Sequence, residues 1–235
     1  MMRAVGVLTV LFSTPAMALT VGTYSYMEQV AVKCPNLRGD TAILSHLDAE
    51  KPKGTAAFFS GGYGTENYAK NAAEMVWLQS LVDDGYNVIQ VHWTSDWWSG
   101  FDHLVEQACR PATVIAFILD RYGPVTLVGQ SGGASQVAYA VEHYGQEPPK
   151  VVLSGGPPEP MNILETNPPL YHPQTTFRLF AGELDTKQRP TVEAYFEALA
   201  NAGTAASYEV VPGTPHRVQS TVAGQDMLKA AIEGN

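Results

Sequence analysis

Residues 125–136 read VTLVGQSGGASQ. Val125 to Val128 form an apolar run that stops at Gly129, and Ser131 stands among Gly129, Gly132 and Gly133. Ala134, Val137, Ala138 and Val141 then recur at helical spacing. The pattern predicts a buried strand, a tight turn and a helix, with one hydroxyl on the turn. Three readings compete for it. A phosphate-binding loop needs a lysine after its last glycine, and none follows here. A dinucleotide fingerprint needs a glycine where Ser131 stands. The third is G-x-S-x-G, Gly129-Gln130-Ser131-Gly132-Gly133, in which a sharp turn lifts a nucleophile above a sheet. Glycine at 129 and 133 then relieves crowding two positions on either side of the serine. The helix behind it favours negative charge at its N-terminus, and the Gly132 N–H is placed to stabilise a developing oxyanion. The motif is short and weak alone; the strand–turn–helix setting makes it informative.

Strand-like runs extend outward from this turn in both directions. EQVAVKC and TAILSHLD come first, with no helical pattern between them, which predicts an antiparallel edge. TAAFFSGG, YNVIQVHW, VTLVGQ, KVVLSGG, TFRLFAGE and ASYEVVPG follow, several apolar nearly throughout, as strands covered on both faces are. Helical patterns alternate with them. Ala69, Ala72, Ala73, Val76 and Trp77 are expected to form one buried face. His103 to Leu119 reads as a second helix that Pro111 kinks or opens. Val192, Tyr195, Phe196 and Leu199 form a third face, with Pro190 and Thr191 at its start and Gly203 beyond its end. Alternating strand and helix predicts an α/β fold: one mostly parallel central sheet of about eight strands, flanked by helices. Pro157 to Pro173 holds six prolines and is expected to be a loop, with a short helical turn around Met161 to Glu165.

The chain has 235 residues, 45% of them hydrophobic and 16% charged, which suits one globular domain. Its formal charge of -9 and the lack of a Lys/Arg cluster argue against a nucleic-acid partner. The start, MMRAVGVLTVLFSTPAMA, has a lone Arg3, a short apolar run and a small-x-small end at Ala16-Met17-Ala18. It reads as a signal peptide, residues 1–18, removed after Ala18 on export to the periplasm or beyond, with a buried N-terminal helix as the alternative. The run is too short to span a membrane, and no cysteine follows to carry a lipid anchor. Cys34 and Cys109 are the only two cysteines. An exported chain permits one disulfide between them, against two separate buried thiols, and neither has zinc or redox spacing.

Three later segments complete a resemblance. RLFAGELD delivers Gly182-Glu183-Leu184-Asp185 at a strand end, YEVVPGTPHRVQ places His216 after the last strand, and AAFFSGGYG ends the third strand at Ser60-Gly61-Gly62. With the serine turn, these motifs make the chain resemble the α/β-hydrolase family over nearly all of residues 19–235. The resemblance implies a triad in the order Ser131, Asp185, His216, with Asp185 matching the family's G-x-x-D and Glu183 as a rival carboxylate. It also implies a second oxyanion donor from the loop after the third strand, Gly62 first and Tyr63 second. The family often has histidine where Ser60 stands; the departure spares the backbone donor. No metal or organic cofactor is required by such a mechanism.

The expected substrate is a small-molecule carboxylic ester, held in an open or thinly covered site, because the span from Ser131 to Asp185 is too short for a large helical lid. Trp93, Trp97 and Trp98, in VHWTSDWWSG after the fourth strand, either wall a substrate pocket or pack the next helix. Asp96 speaks against a wholly apolar groove, and Tyr63, Tyr171 and His172 are further candidates to face the site. An amide or peptide hydrolase of the same fold, and a non-catalytic binding protein on this scaffold, are the competing readings.

Overall fold

Eight strands join edge to edge in the order β1-β2-β4-β3-β5-β6-β7-β8. They are β1 (Tyr26–Val32), β2 (Asp40–Leu47), β3 (Gly54–Phe59), β4 (Tyr86–His92), β5 (Thr126–Gln130), β6 (Lys150–Ser154), β7 (Thr176–Gly182) and β8 (Ala206–Val211). The computed structural model describes residues 24–34, 40–61, 72–93, 108–156 and 169–234. β2 runs antiparallel to both β1 and β4, and all other pairings are parallel. The first two strand-like runs therefore form the antiparallel edge their sequence predicts.

Apolar side chains leave the sheet on both faces with the strand period of two. Ala57, Phe59, Leu127, Val151, Leu153, Phe177 and Leu179 point into one core. Ala56, Phe58, Val88, Val128, Val152 and Phe180 point into the other. Three helices cover the first face: α2 (Cys109–Tyr122), α3 (Gly132–Tyr144) and α4 (Arg189–Asn201). Two cover the second: α1 (Ala72–Asp83) and α5 (Val222–Glu233). Pro111 lies in the first turn of α2, where its missing N–H costs nothing, so it opens the described helix and does not kink it. Gly203, with φ +83°, turns the chain after α4. Among the described residues no helix is long and apolar enough to cross a membrane.

The buried face of α1 differs from the expected one. Ala72, Ala73 and Val76 face solvent, and the buried residues are Glu74, Trp77, Leu78 and Leu81. The spacing is still helical; a carboxylate occupies one of the buried positions, and that shifted the apparent stripe. Ala69 lies outside the described residues, as do the turn expected at Met161 to Glu165 and the segment 1–18. Cys34 and Cys109 form a disulfide, Cα–Cα 5.9 Å, which ties the chain just after β1 to the first residue of α2.

Candidate active site

Ser131 is the one residue between the end of β5 and the start of α3. Its φ of 52° and ψ of -118° make it the only non-glycine residue with positive φ among the described residues. Such a conformation costs on the order of 1–3 kcal/mol and persists only where its surroundings impose it. Here they do. The Ser131 N–H donates to the Ser154 carbonyl (2.9 Å), and its own carbonyl accepts from the Ser135 N–H (3.2 Å). A Cβ on Gly129 would lie 2.6 Å from Ala134 Cα, and one on Gly133 would lie 2.1 Å from the Phe59 carbonyl oxygen. The first turn of α3 is thus pressed against the ends of β5 and β3 at contacts only glycine permits.

His216 follows β8 on the loop that leads into a 3-10 turn at Val218–Ser220. Its Nε2 lies 2.8 Å from Ser131 Oγ, and its Nδ1 lies 2.6 Å from Asp185 Oδ2. Asp185 stands after β7 and is 7% exposed. Its second oxygen, Oδ1, accepts from the Gln188 N–H at 3.1 Å, so both carboxylate oxygens have partners. A charged carboxylate accepts only, which assigns the Nδ1 proton to the His216–Asp185 bond. Nε2 then presents its lone pair to the Ser131 hydroxyl.

Bare backbone makes room for the imidazole. A Cβ on Gly155, whose φ is +59°, would meet Cε1 and Nδ1 of His216 at 3.1 and 3.2 Å and its carbonyl oxygen at 2.6 Å. Glu183 has a different task from Asp185. Its Oε2 accepts from the Gly213 N–H at 2.7 Å, bracing the same loop. No signal in the sequence marked Gly155 as the floor under the histidine; its partner is 61 positions away.

The loop after β3 also reaches the serine. A Cβ on Gly61 would lie 2.9 Å from Ser131 Cβ and 2.3 Å from Gln130 Oε1. Gln130, 3% exposed, is therefore packed against the end of β3, and its Nε2 has no partner among the described residues. Gly62, Tyr63, Asp96, Trp97 and Trp98 lie outside the described residues. Gly132 opens α3, so its N–H is among those without an acceptor inside the helix.

Several other candidates stand elsewhere. Trp93 is 2% exposed and belongs to the core that α2 covers, so it packs the fold. His172 is buried, with Nε2 3.3 Å from Glu142 Oε2, while its N–H donates to Thr204 Oγ1. Tyr171 lies against Gly203. Both sit where the chain enters β7 and β8, at the amino ends of the strands, opposite to the carboxyl ends that carry Ser131, Asp185 and His216. Burial holds His92 and His143 below their ordinary pKa, and His46 likewise despite the adjoining Glu28. Among the described histidines His216 alone meets the serine. No group of three or more His, Cys, Asp or Glu among the described residues is placed to hold a metal ion.

One contact next to the histidine has no counterpart in the sequence reading. Arg217 Nη2 donates to both oxygens of the buried Glu74, at 2.7 and 3.0 Å. The partners are 143 residues apart. The one sign was a carboxylate amid the apolar spacing of α1.

No protein-family model matches the chain, and no curated protein matches its sequence. Solved structures do match its fold. An esterase from Pyrobaculum calidifontis is 16% identical with a TM-score of 0.63, over 90% of this chain and 86% of that one. An alpha-beta serine hydrolase homologue from Coxiella burnetii is 12% identical with a TM-score of 0.61, over 88% and 96%. A thermostable carboxyl esterase from Bacillus coagulans is 13% identical with a TM-score of 0.63, over 88% and 97%. The shared architecture is the α/β-hydrolase fold.

Proposed function

We propose that this protein is a serine hydrolase that cleaves carboxylic esters through an acyl-enzyme intermediate. The observation that carries the reading is the unbroken chain Ser131 Oγ–His216–Asp185, at 2.8 and 2.6 Å. His216 takes the Ser131 proton as general base while Oγ attacks the ester carbonyl. Asp185 holds the imidazole in its working tautomer and stabilises the imidazolium. The carbonyl oxygen becomes an oxyanion that the Gly132 N–H stabilises together with Gly62 or Tyr63. Collapse expels the alcohol, which receives its proton from His216. Water, activated by the same histidine, then releases the acid and restores Ser131. No step calls for a metal or an organic cofactor.

The fold neighbours described as esterases favour an ester over an amide as the bond cleaved. The reading includes export: residues 1–18 act as the signal peptide, residues 19–235 form the hydrolase domain, and the Cys34–Cys109 disulfide suits an oxidising compartment. Trp97 and Trp98 are proposed to line the acyl or alcohol side of the site.

The test is direct. Ser131→Ala is expected to abolish turnover of p-nitrophenyl esters and labelling by a fluorophosphonate. Labelling that survives in the variant would remove Ser131 as the nucleophile. Aminoacyl anilides cleaved faster than esters would move the assignment to amide hydrolysis.

A further inference from the structure

We propose that the Glu74–Arg217 ion pair is a positioning device for the histidine, holding the His216 loop in reach of Ser131; the proposal rests on the reading of His216 as the base. Arg217 is the residue after His216. Its guanidinium is clamped by a single nitrogen on both oxygens of Glu74, which is fully buried in the first turn of α1. In two other pairs, Arg178–Glu209 and Lys229–Asp84, the carboxylate is 43 and 42% exposed, whereas the Glu74 carboxylate is fully buried.

The pair is not needed to pack α1. Trp77, Leu78 and Leu81 already seat that helix on the second core. An apolar side chain at position 74 would avoid the desolvation that a buried carboxylate suffers, and such replacements are often neutral or stabilising. What the pair adds is a fixed point for the backbone beside the histidine. On the β8 side of His216 the loop is already held, by Glu183 on the Gly213 N–H (2.7 Å) and by the Leu184 N–H on the Thr214 carbonyl (3.0 Å); the Arg217 side has the ion pair. The loop is turned by Pro212, Gly213 and Pro215, all exposed. Asp185 holds the ring at one atom and Gly155 only makes room beneath it. Arg217 holds the residue next to His216, and its carbonyl accepts from the Ser220 N–H (2.9 Å) and the Ser220 hydroxyl (2.6 Å), which lock it into the 3-10 turn. The helix at the other end of the clamp is also the one entered from the segment that carries Gly62 and Tyr63. One ion pair therefore ties the base loop to the element that follows the proposed oxyanion loop.

The decisive variant is Glu74→Met/Arg217→Met, which removes both partners of the tether together. It is expected to fold with a Tm close to the parent. Its kcat for p-nitrophenyl acetate and its rate of fluorophosphonate labelling should fall roughly 10- to 100-fold, as a displaced base requires, with KM little changed. Arg217→Lys, which keeps a donor for Glu74, should recover part of the loss. A folded double variant with kcat within about twofold of the parent overturns the proposal, as does a loss confined to KM. Should the double variant not fold, Glu74→Leu, which removes both acceptors and leaves the part-exposed Arg217 free to reach water, is judged by the same criteria. Failure of the functional reading looks different: the parent itself would show no Ser131-dependent turnover or labelling.

Discussion

Ser131 shows a residue held against its own preference. A serine in isolation avoids φ 52°, ψ -118°, and here two backbone hydrogen bonds and two glycine contacts keep it there. The glycines were legible because the strained turn demands them at fixed offsets. The two carboxylates of the GELD turn are the second residue-scale question. Asp185 touches the imidazole and Glu183 the Gly213 amide, so the position that matches G-x-x-D and the position that meets His216 are the same. Asp185→Asn is expected to lower kcat by about 10,000-fold, because an amide cannot hold the tautomer that leaves Nε2 free to accept. Glu183→Gln keeps an acceptor for Gly213 and is expected to stay within about threefold of the parent. Ester turnover of the two purified variants checks both, and equal losses would make Glu183 a partner in the triad.

At the scale of elements, the strands were the easiest part to read. Their apolar runs are bounded by glycine, and five of them are parallel and covered on both faces. The helices were harder. The stripe of α1 was misplaced because Glu74, a residue ordinarily assigned to solvent, is paired inside the protein by an arginine from the far end of the chain. His172 was misassigned for a similar reason: it enters a buried network in which Glu142 of α3 also accepts from Tyr195 of α4 (2.9 Å) and from the Leu170 N–H (2.8 Å). That network fastens the end of the proline-rich loop beneath the sheet. The seat of α3 on β3 yields a prediction. Gly133→Ala places a Cβ against the Phe59 and Ser60 carbonyl oxygens, at 2.1 and 2.6 Å before relaxation. Backbone cannot move aside as a side chain does, so the variant is expected to lose more than about 3 kcal/mol, seen as a lowered urea midpoint. An unchanged midpoint would show that α3 is not seated in this way.

At the scale of the whole molecule, the disulfide closes a covalent loop across a sequence separation of 75. It joins the antiparallel edge, just after β1, to α2 on the first face of the sheet. Closing a loop of that size removes enough unfolded-chain entropy for about 4 kcal/mol of stabilisation. Cys34→Ala/Cys109→Ala is therefore expected to lower Tm by on the order of 10 °C in calorimetry. A Tm equal to that of the parent would mean that the apolar core alone holds the edge strands in place.

By itself the sequence determined the architecture and the chemistry of its turns. Hydrophobic periodicity and the glycines of each turn are local signals, each confined to a few consecutive residues, and the strand order and the serine turn agree with them, though the buried stripe of α1 does not. Only the tertiary structure decided which distant groups meet. It paired Cys34 with Cys109, set Asp185 and not Glu183 against His216, slid Gly155 beneath the imidazole, buried Trp93, and joined Glu74 to Arg217. These contacts depend on strand order. The chain leaves β3 for β4 and returns to lay β5 on the other side of β3, so residues far apart in sequence converge at the carboxyl edge of the sheet. Periodicity records which face a side chain takes; it carries no record of the neighbour it finds there.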